Sequence, residues 1–146
     1  MNEYKKQVAI RWSDLDPNFH VRHSVYYDWG AWMRMCFLTE NGLTPQVMIE
    51  QKFGPILFRE EALFRKEIHF GDDLLINVKI KKCTSNYARW SMVHEIIKNE
   101  NTIGAIITVD GAWMDTEKRR LIIPPENAVK LFDLIPRTDD FEWIQK

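Results

Sequence analysis

The sequence predicts an α+β domain in which a curved, mainly antiparallel five-stranded sheet wraps one long apolar helix. Three observations lead there. A short period-two stretch is followed by one long run of apolar residues at helical spacing, and then by four consecutive strand-like runs. Elements segregated in this order, instead of alternating, favour an antiparallel sheet over a parallel one. A helix with so wide an apolar face must also be buried against something wide, and a sheet serves. The 146 residues contain no repeat, linker or low-complexity run, so residues 1–146 read as one domain.

Lys5 to Trp12 alternates Val8, Ile10 and Trp12 with Gln7, Ala9 and Arg11, the pattern of a half-buried strand. After Asp14-Leu15-Asp16-Pro17, Ser24 is the expected helix N-cap. Val25, Trp29, Trp32, Met33, Cys36 and Phe37 then recur at helical spacing, and Asn41-Gly42 supplies the stop. Thr44-Pro45 opens a shorter piece to about Lys52, which Gly54-Pro55 breaks. Ile56 to Phe70 reads as a long strand turning at Gly71-Asp72-Asp73, and Leu74 to Lys81 alternates as the next. Ala88–Lys98 and Thr102–Met114 make two more, joined at Asn99-Glu100-Asn101. Pro124-Pro125-Glu126 starts a short C-terminal helix from about residue 125, and a mostly polar tail begins at Arg137.

A net charge of −1 offers no general field for nucleic acid, and no nucleic-acid partner is expected. Lys79-Ile80-Lys81-Lys82 and Lys118-Arg119-Arg120 read as solvated strand ends, or as a small patch for a nucleotide phosphate. The two cysteines, Cys36 and Cys83, have no CxxC spacing and suit a reducing compartment without disulfides. No signal-peptide core and no run of 18 apolar residues is found, so a cytoplasmic protein without a membrane span is expected.

Residues 14 to 34 are the most informative stretch. Two carboxylates, a proline and two histidines stand at the mouth of a hydrophobic helix, an odd choice for packing alone. The pattern makes chemical sense if an ester-like carbonyl is held at the helix N-terminus and attacked beside it. The plain alternative for Asp16 is a turn residue before Pro17. Asp14, Asp16, His20 and His23 lie within ten residues, and His-x-x-His spacing can bind zinc. No second, distant ligand pair completes the set, so no metal is expected. Farther along, Glu60 in strand phase with Phe58 and Ala62 needs a partner, and His94 beside Trp90 and Met92 reads as a satisfied core histidine. Arg34 is expected to meet a carboxylate or carbonyl on the far side of the helix.

Arg11-Trp12-Ser13-Asp14-Leu15-Asp16-Pro17, followed by His20-Val21, Tyr26 and Arg34, resembles the 4-hydroxybenzoyl-CoA thioesterase family of hotdog-fold proteins. That family shows Asp-x-Asp, a Gly-His-Val-Asn-Asn-like turn and a tyrosine at the start of its central helix. Gly54-Pro55-Ile56 and Gly71-Asp72-Asp73-Leu74 extend the likeness over roughly residues 5 to 115. The chain departs at Phe19, where the family has Gly, at Arg22-His23, where it has Asn-Asn, and at Ala31, where relatives carry a helix glutamate. The resemblance implies a hotdog fold and hydrolysis of an acyl-CoA or acyl-carrier thioester. It implies Asp16 as nucleophile or general base and the backbone amide of His23 polarising the carbonyl. Asp14, His20 and Tyr26 would support them, with no cofactor. It also implies a homodimer or homotetramer with the site at the dimer interface; separately, Lys81, Lys82 and Arg89 are candidate contacts for a CoA phosphate by their charge alone. A non-catalytic acyl-thioester or lipid binder stays open. So does a hydratase, although Asp16-Pro17-Asn18-Phe19-His20 presents that enzyme's residue types in a different order.

Overall fold

The computed structural model describes residues 3–144, so the expected domain span runs past it by two residues at each end. The elements are β1 (Lys5–Val8), a 3-10 turn (Trp12–Asp14), α1 (His23–Glu40), α2 (Pro45–Gln51), β2 (Phe53–Phe64), β3 (Leu74–Asn77), β4 (Lys79–Thr84), β5 (Arg89–Lys98), β6 (Thr102–Asp115), β7 (Arg120–Leu121), α3 (Glu126–Phe132) and β8 (Arg137–Ile144). All strands join one sheet. β2, β6 and β5 lie side by side and antiparallel, and β3 and β4 both flank β5. β1 lies outside β3, β8 runs parallel outside β4, and β7 continues beside the end of β6.

The curved antiparallel sheet around α1 is the hotdog arrangement. Its core joins Val25, Met33 and Phe37 of the helix to Ile76, Ile96, Ile107 and Val109 of the sheet. A second layer is aromatic: Trp113 meets Phe53 at 5.5 Å and Phe132 at 5.3 Å between ring centroids, tilted as aromatic quadrupoles favour. Phe132 comes from α3, so the short C-terminal helix closes one end of the core.

Several local expectations hold. Gly42, just beyond the last turn of α1, has φ +92°, the left-handed geometry that a glycine after a helix supplies. The Thr44 hydroxyl accepts the Val47 N–H and caps α2. Asn99 and Glu100 take positive φ in the β5–β6 hairpin.

Others are corrected. β1 stops at Val8, and Trp12 is 74% exposed instead of lining the core. Trp32 is also exposed, and the buried face of α1 runs through Tyr26 and Leu38 instead. Gly54 and Pro55 lie inside β2, which ends at Phe64 rather than Phe70. Pro55 is tolerated because β2 pairs only with β6, leaving an open edge that needs no N–H donor. The expected strand from Leu74 is two segments broken at Val78, where the Asn77 carbonyl is diverted to the ring of His94. The tail from Arg137 is strand β8.

Candidate active site

Asp16 sits in a small backbone hairpin between the 3-10 turn and α1. Leu15 and Val21 form an antiparallel bridge, the Asp16 N–H donates to the His20 carbonyl at 2.8 Å, and the Arg22 N–H donates to the Asp14 carbonyl at 2.8 Å. The Asp16 side chain closes the turn from within: Oδ1 accepts the N–H groups of Asn18 at 2.9 Å and His20 at 3.0 Å. The carboxylate is therefore oriented by backbone, and Oδ2 carries no hydrogen bond among the described residues. Phe19, at the family's glycine position, has φ +66°. A left-handed backbone explains why glycine suits that position, and a phenylalanine there is strained by about 1–2 kcal/mol. Its ring lies against Trp12 at 6.1 Å, and together they flank Asp16 and Pro17 in a shallow, largely apolar depression.

Asp14 is fully buried and has a different task. Its carboxylate accepts the Arg11 backbone N–H at 2.8 Å and the Arg11 guanidinium, also at 2.8 Å. Burial alone would raise this carboxyl, but Arg11's bonds and charge, with Arg22 nearby, outweigh it and hold the group below the usual carboxylate range. Asp14 stays ionised as a clamp that fixes the loop feeding α1.

The helix begins at His23, two residues before the start that an N-cap at Ser24 would give. Arg22 is the N-cap, its side chain accepts no first-turn backbone N–H, and its guanidinium donates to the Ser24 hydroxyl. That hydroxyl is thereby turned away from capping. The His23 N–H has no acceptor among the described residues. Uncapped first-turn N–H groups and the helix dipole favour a developing negative charge here. Tyr26, one turn on, is 4% exposed, against Trp29 at 5.7 Å and Phe64 of β2 at 4.9 Å. Burial, and next the charge of Asp16, push its phenol up to about 12, so it stands neutral beside the carboxylate.

His20 faces away from this chemistry. Its backbone braces Asp16, while its ring meets Glu67 at 2.9 Å and lies 4.8 Å from the ring of His69. The structure thus gathers Asp14, Asp16, His20, His23 and Tyr26 around one loop and helix start. It also adds Phe64, Glu67 and His69, which lie far along the chain and carry no motif of their own.

Arg34 meets both a carboxylate and a histidine: Glu60 at 3.7 Å and His94 Nε2 at 3.0 Å. The Asn77 carbonyl can only accept, so His94 Nδ1 carries the proton that bonds it at 2.8 Å and Nε2 accepts from Arg34. Complete burial and the Arg34 charge push His94 down to about 3, although its bond to Asn77 works the other way. It is a neutral core histidine, as expected. An apolar cavity of about 200 Å³ opens beside Arg34, lined by Met35, Leu57, Trp90, Met92 and Trp113. It lies about 16 Å along the helix from His23 and does not belong to the loop site. Lys79, Lys81 and Lys82 pair with Glu95, Asp140 and Glu142, so they are solvated strand residues with anionic partners. Arg89 lies over the Phe58 ring at 5.3 Å.

No curated protein matches the sequence. Solved structures do match the fold. A Staphylococcus aureus protein solved in complex with CoA aligns with TM-score 0.82 at 16% identity, over 94% of this chain and 88% of its own. A 1,4-dihydroxy-2-naphthoyl-CoA thioesterase from Synechocystis gives 0.80 at 18% identity, over 91% and 97%. A gentisyl-coenzyme A thioesterase gives 0.76 at 21% identity, over 88% and 99%. The family model described as the thioesterase-like superfamily matches residues 10–133, which span both the Asp16 loop and the sheet around the helix. The chain belongs to the thioesterase-like superfamily.

Proposed function

We propose that this protein hydrolyses an acyl thioester of CoA, or of an acyl carrier, at the N-terminus of α1. One observation carries the reading: the Asp16 carboxylate is held by two backbone N–H groups in the turn that delivers the chain to an uncapped helix start. Asp16 attacks the carbonyl or activates a water, and the His23 N–H receives the developing oxyanion. The neutral Tyr26 phenol, Asp14 and His20 position the carboxylate. Ala31 supplies no carboxylate on the helix, and Asp14 is taken up by Arg11, which leaves Asp16 as the carboxylate available for the chemistry. The neighbours solved with CoA or named as CoA thioesterases support the substrate class by analogy of fold.

The active form we assign is a homodimer. β2 has an open edge, and Leu57, Phe58, Leu63 and Phe64 on it are exposed, as are Trp32 and Met35 of α1. A long apolar edge strand invites a partner. Phe64 touches Tyr26, so a second copy on this edge would wall the site. Light scattering reads the state: a dimer that Leu63→Glu converts to monomer is expected, and a wild-type monomer contradicts the assignment. The setting we assign is the cytoplasm, which suits the two free cysteines; no described helix is long and apolar enough to cross a membrane.

Thiol release from short-chain, long-chain and benzoyl CoA esters tests the activity. Turnover with one class supports the enzyme and defines its substrate. Tight binding of CoA esters without turnover establishes the binder, to which the Arg22-His23 departure points. Hydration of crotonyl-CoA establishes the hydratase.

A further inference from the structure

We propose that His20, Glu67 and His69 form a binding site for a divalent transition metal, zinc by preference, on the flank of the loop that holds Asp16. The backbone builds it. His20 and His69 face each other as an antiparallel bridge, and the Val21 N–H donates to the Ile68 carbonyl at 2.8 Å beside them. Directly opposed residues put their side chains on one face, and Glu67, two residues before His69, brings its carboxylate between the two rings.

The donor atoms are already close to a coordination sphere. Glu67 Oε2 lies 2.9 Å from His20 Nε2 and 3.5 Å from His69 Nε2, and all three donor atoms fall within 4.8 Å of one another. Zinc bonds of about 2.0–2.2 Å in a tetrahedron place ligand atoms about 3.3 Å apart, so small side-chain adjustments admit the ion. Two imidazoles and one carboxylate suit a borderline ion such as Zn²⁺ or Co²⁺ better than Mg²⁺. Asp72 supplies the outer support: its carboxylate accepts the His69 backbone N–H at 2.8 Å and lies 3.9 Å from His69 Nδ1. All three side chains reach solvent, so the ion has a path in, and a fourth position stays open to water. The bound metal takes the place of the direct His20–Glu67 contact, and it ties the Asp16 loop to the segment after β2.

Calorimetric titration of the purified, chelator-treated protein with ZnCl₂ tests the site, with Co²⁺ absorption spectra and thermal unfolding as second readouts. One Zn²⁺ per chain, a tetrahedral Co²⁺ spectrum and a raised Tm are expected, with no comparable effect of MgCl₂. His69→Ala and Glu67→Gln, both outside the hydrolytic machinery, should each weaken zinc at least ~10-fold while their metal-free Tm stays within a few degrees of wild type. Absence of a stoichiometric site, or zinc affinity unchanged in both variants, overturns the proposal. None of these readouts depends on thioester turnover, so the site stands or falls apart from the proposed hydrolysis.

Discussion

His94 makes the stability of this fold acid-sensitive in a calculable way. In the folded chain it is fully buried, donates to Asn77, accepts from Arg34, and titrates near 3, against 6.5 for an ordinary imidazole. The unfolded chain therefore takes up a proton below about pH 6.5 that the folded chain refuses. This group's contribution is complete above pH 7 and is lost as pH falls from about 6.5 toward 3. At about 1.4 kcal/mol per pH unit, pH 5 removes about 2 kcal/mol, and the whole window is worth about 5. The perturbation is His94→Gln, which keeps a polar side chain and removes the titration. Urea unfolding at pH 7.5 and pH 5 is the assay, and the readout is the pH difference within each protein, not their absolute stabilities. Wild type should lose about 2 kcal/mol more than the variant between the two pH values. Equal losses, or an imidazole proton resonance that titrates near 6.5 in the folded protein, would refute the buried neutral histidine.

Two further outcomes follow from buried geometry. A Cβ at Gly111 in β6 would stand 2.5 Å from the Ile56 carbonyl oxygen on one side and in hard contact with the Trp90 indole on the other. Gly111→Ala should thus destabilise by about 3 kcal/mol in chemical denaturation, and a loss below about 1 would mean that Trp90 has room to move. Asp14→Asn keeps the shape of the loop clamp but removes its charge-assisted bonds to Arg11. Because the Arg11 side chain is itself exposed, the expected loss at pH 7 is only about 1–2 kcal/mol. Asp14's carboxyl is held low in the folded state, so its contribution is present above about pH 4 and fades as pH drops below it. The gap between wild type and Asp14→Asn should therefore close in denaturation curves at pH 3, and a gap that widens would reverse the assigned sign.

The longest central elements of this fold were legible in the sequence. α1, β5, β6 and their Asn99-Glu100 hairpin combine strong periodicity with unambiguous turn residues, and each lies where the pattern places it. β8 escaped because neither of its faces is continuously buried. Its Thr138, Phe141 and Ile144 are half-covered while their neighbours face water, so no period-two signal marks it. It is held instead by pairing with β4 and by Arg137 stacked on Phe141 and Trp143, contacts that exist only after folding. The bulge near Phe58 in β2 similarly hides a phase change that only register reveals. At the site, Asp14, Asp16 and Tyr26 lie within one stretch and could be read together. Ser24 looked like the cap by residue type, yet Arg22 holds its hydroxyl. Glu67 and His69 were beyond reach, since a bridge between distant segments brings them to His20. Phe19 is the informative mismatch: a left-handed backbone where its relatives carry glycine was visible as a departure, and the positive φ supplies the reason.

The central claim is that Asp16 performs the chemistry. Asp16→Asn retains an oxygen to accept the Asn18 and His20 N–H groups, so the loop and its fold, checked by circular dichroism, should survive. The measurement is kcat/KM for thiol release by wild type and Asp16→Asn on the best acyl-CoA. The account predicts a fall of at least ~100-fold, about 2.7 kcal/mol of transition-state stabilisation. A folded Asp16→Asn protein that keeps wild-type turnover would contradict it and move the chemistry away from this loop.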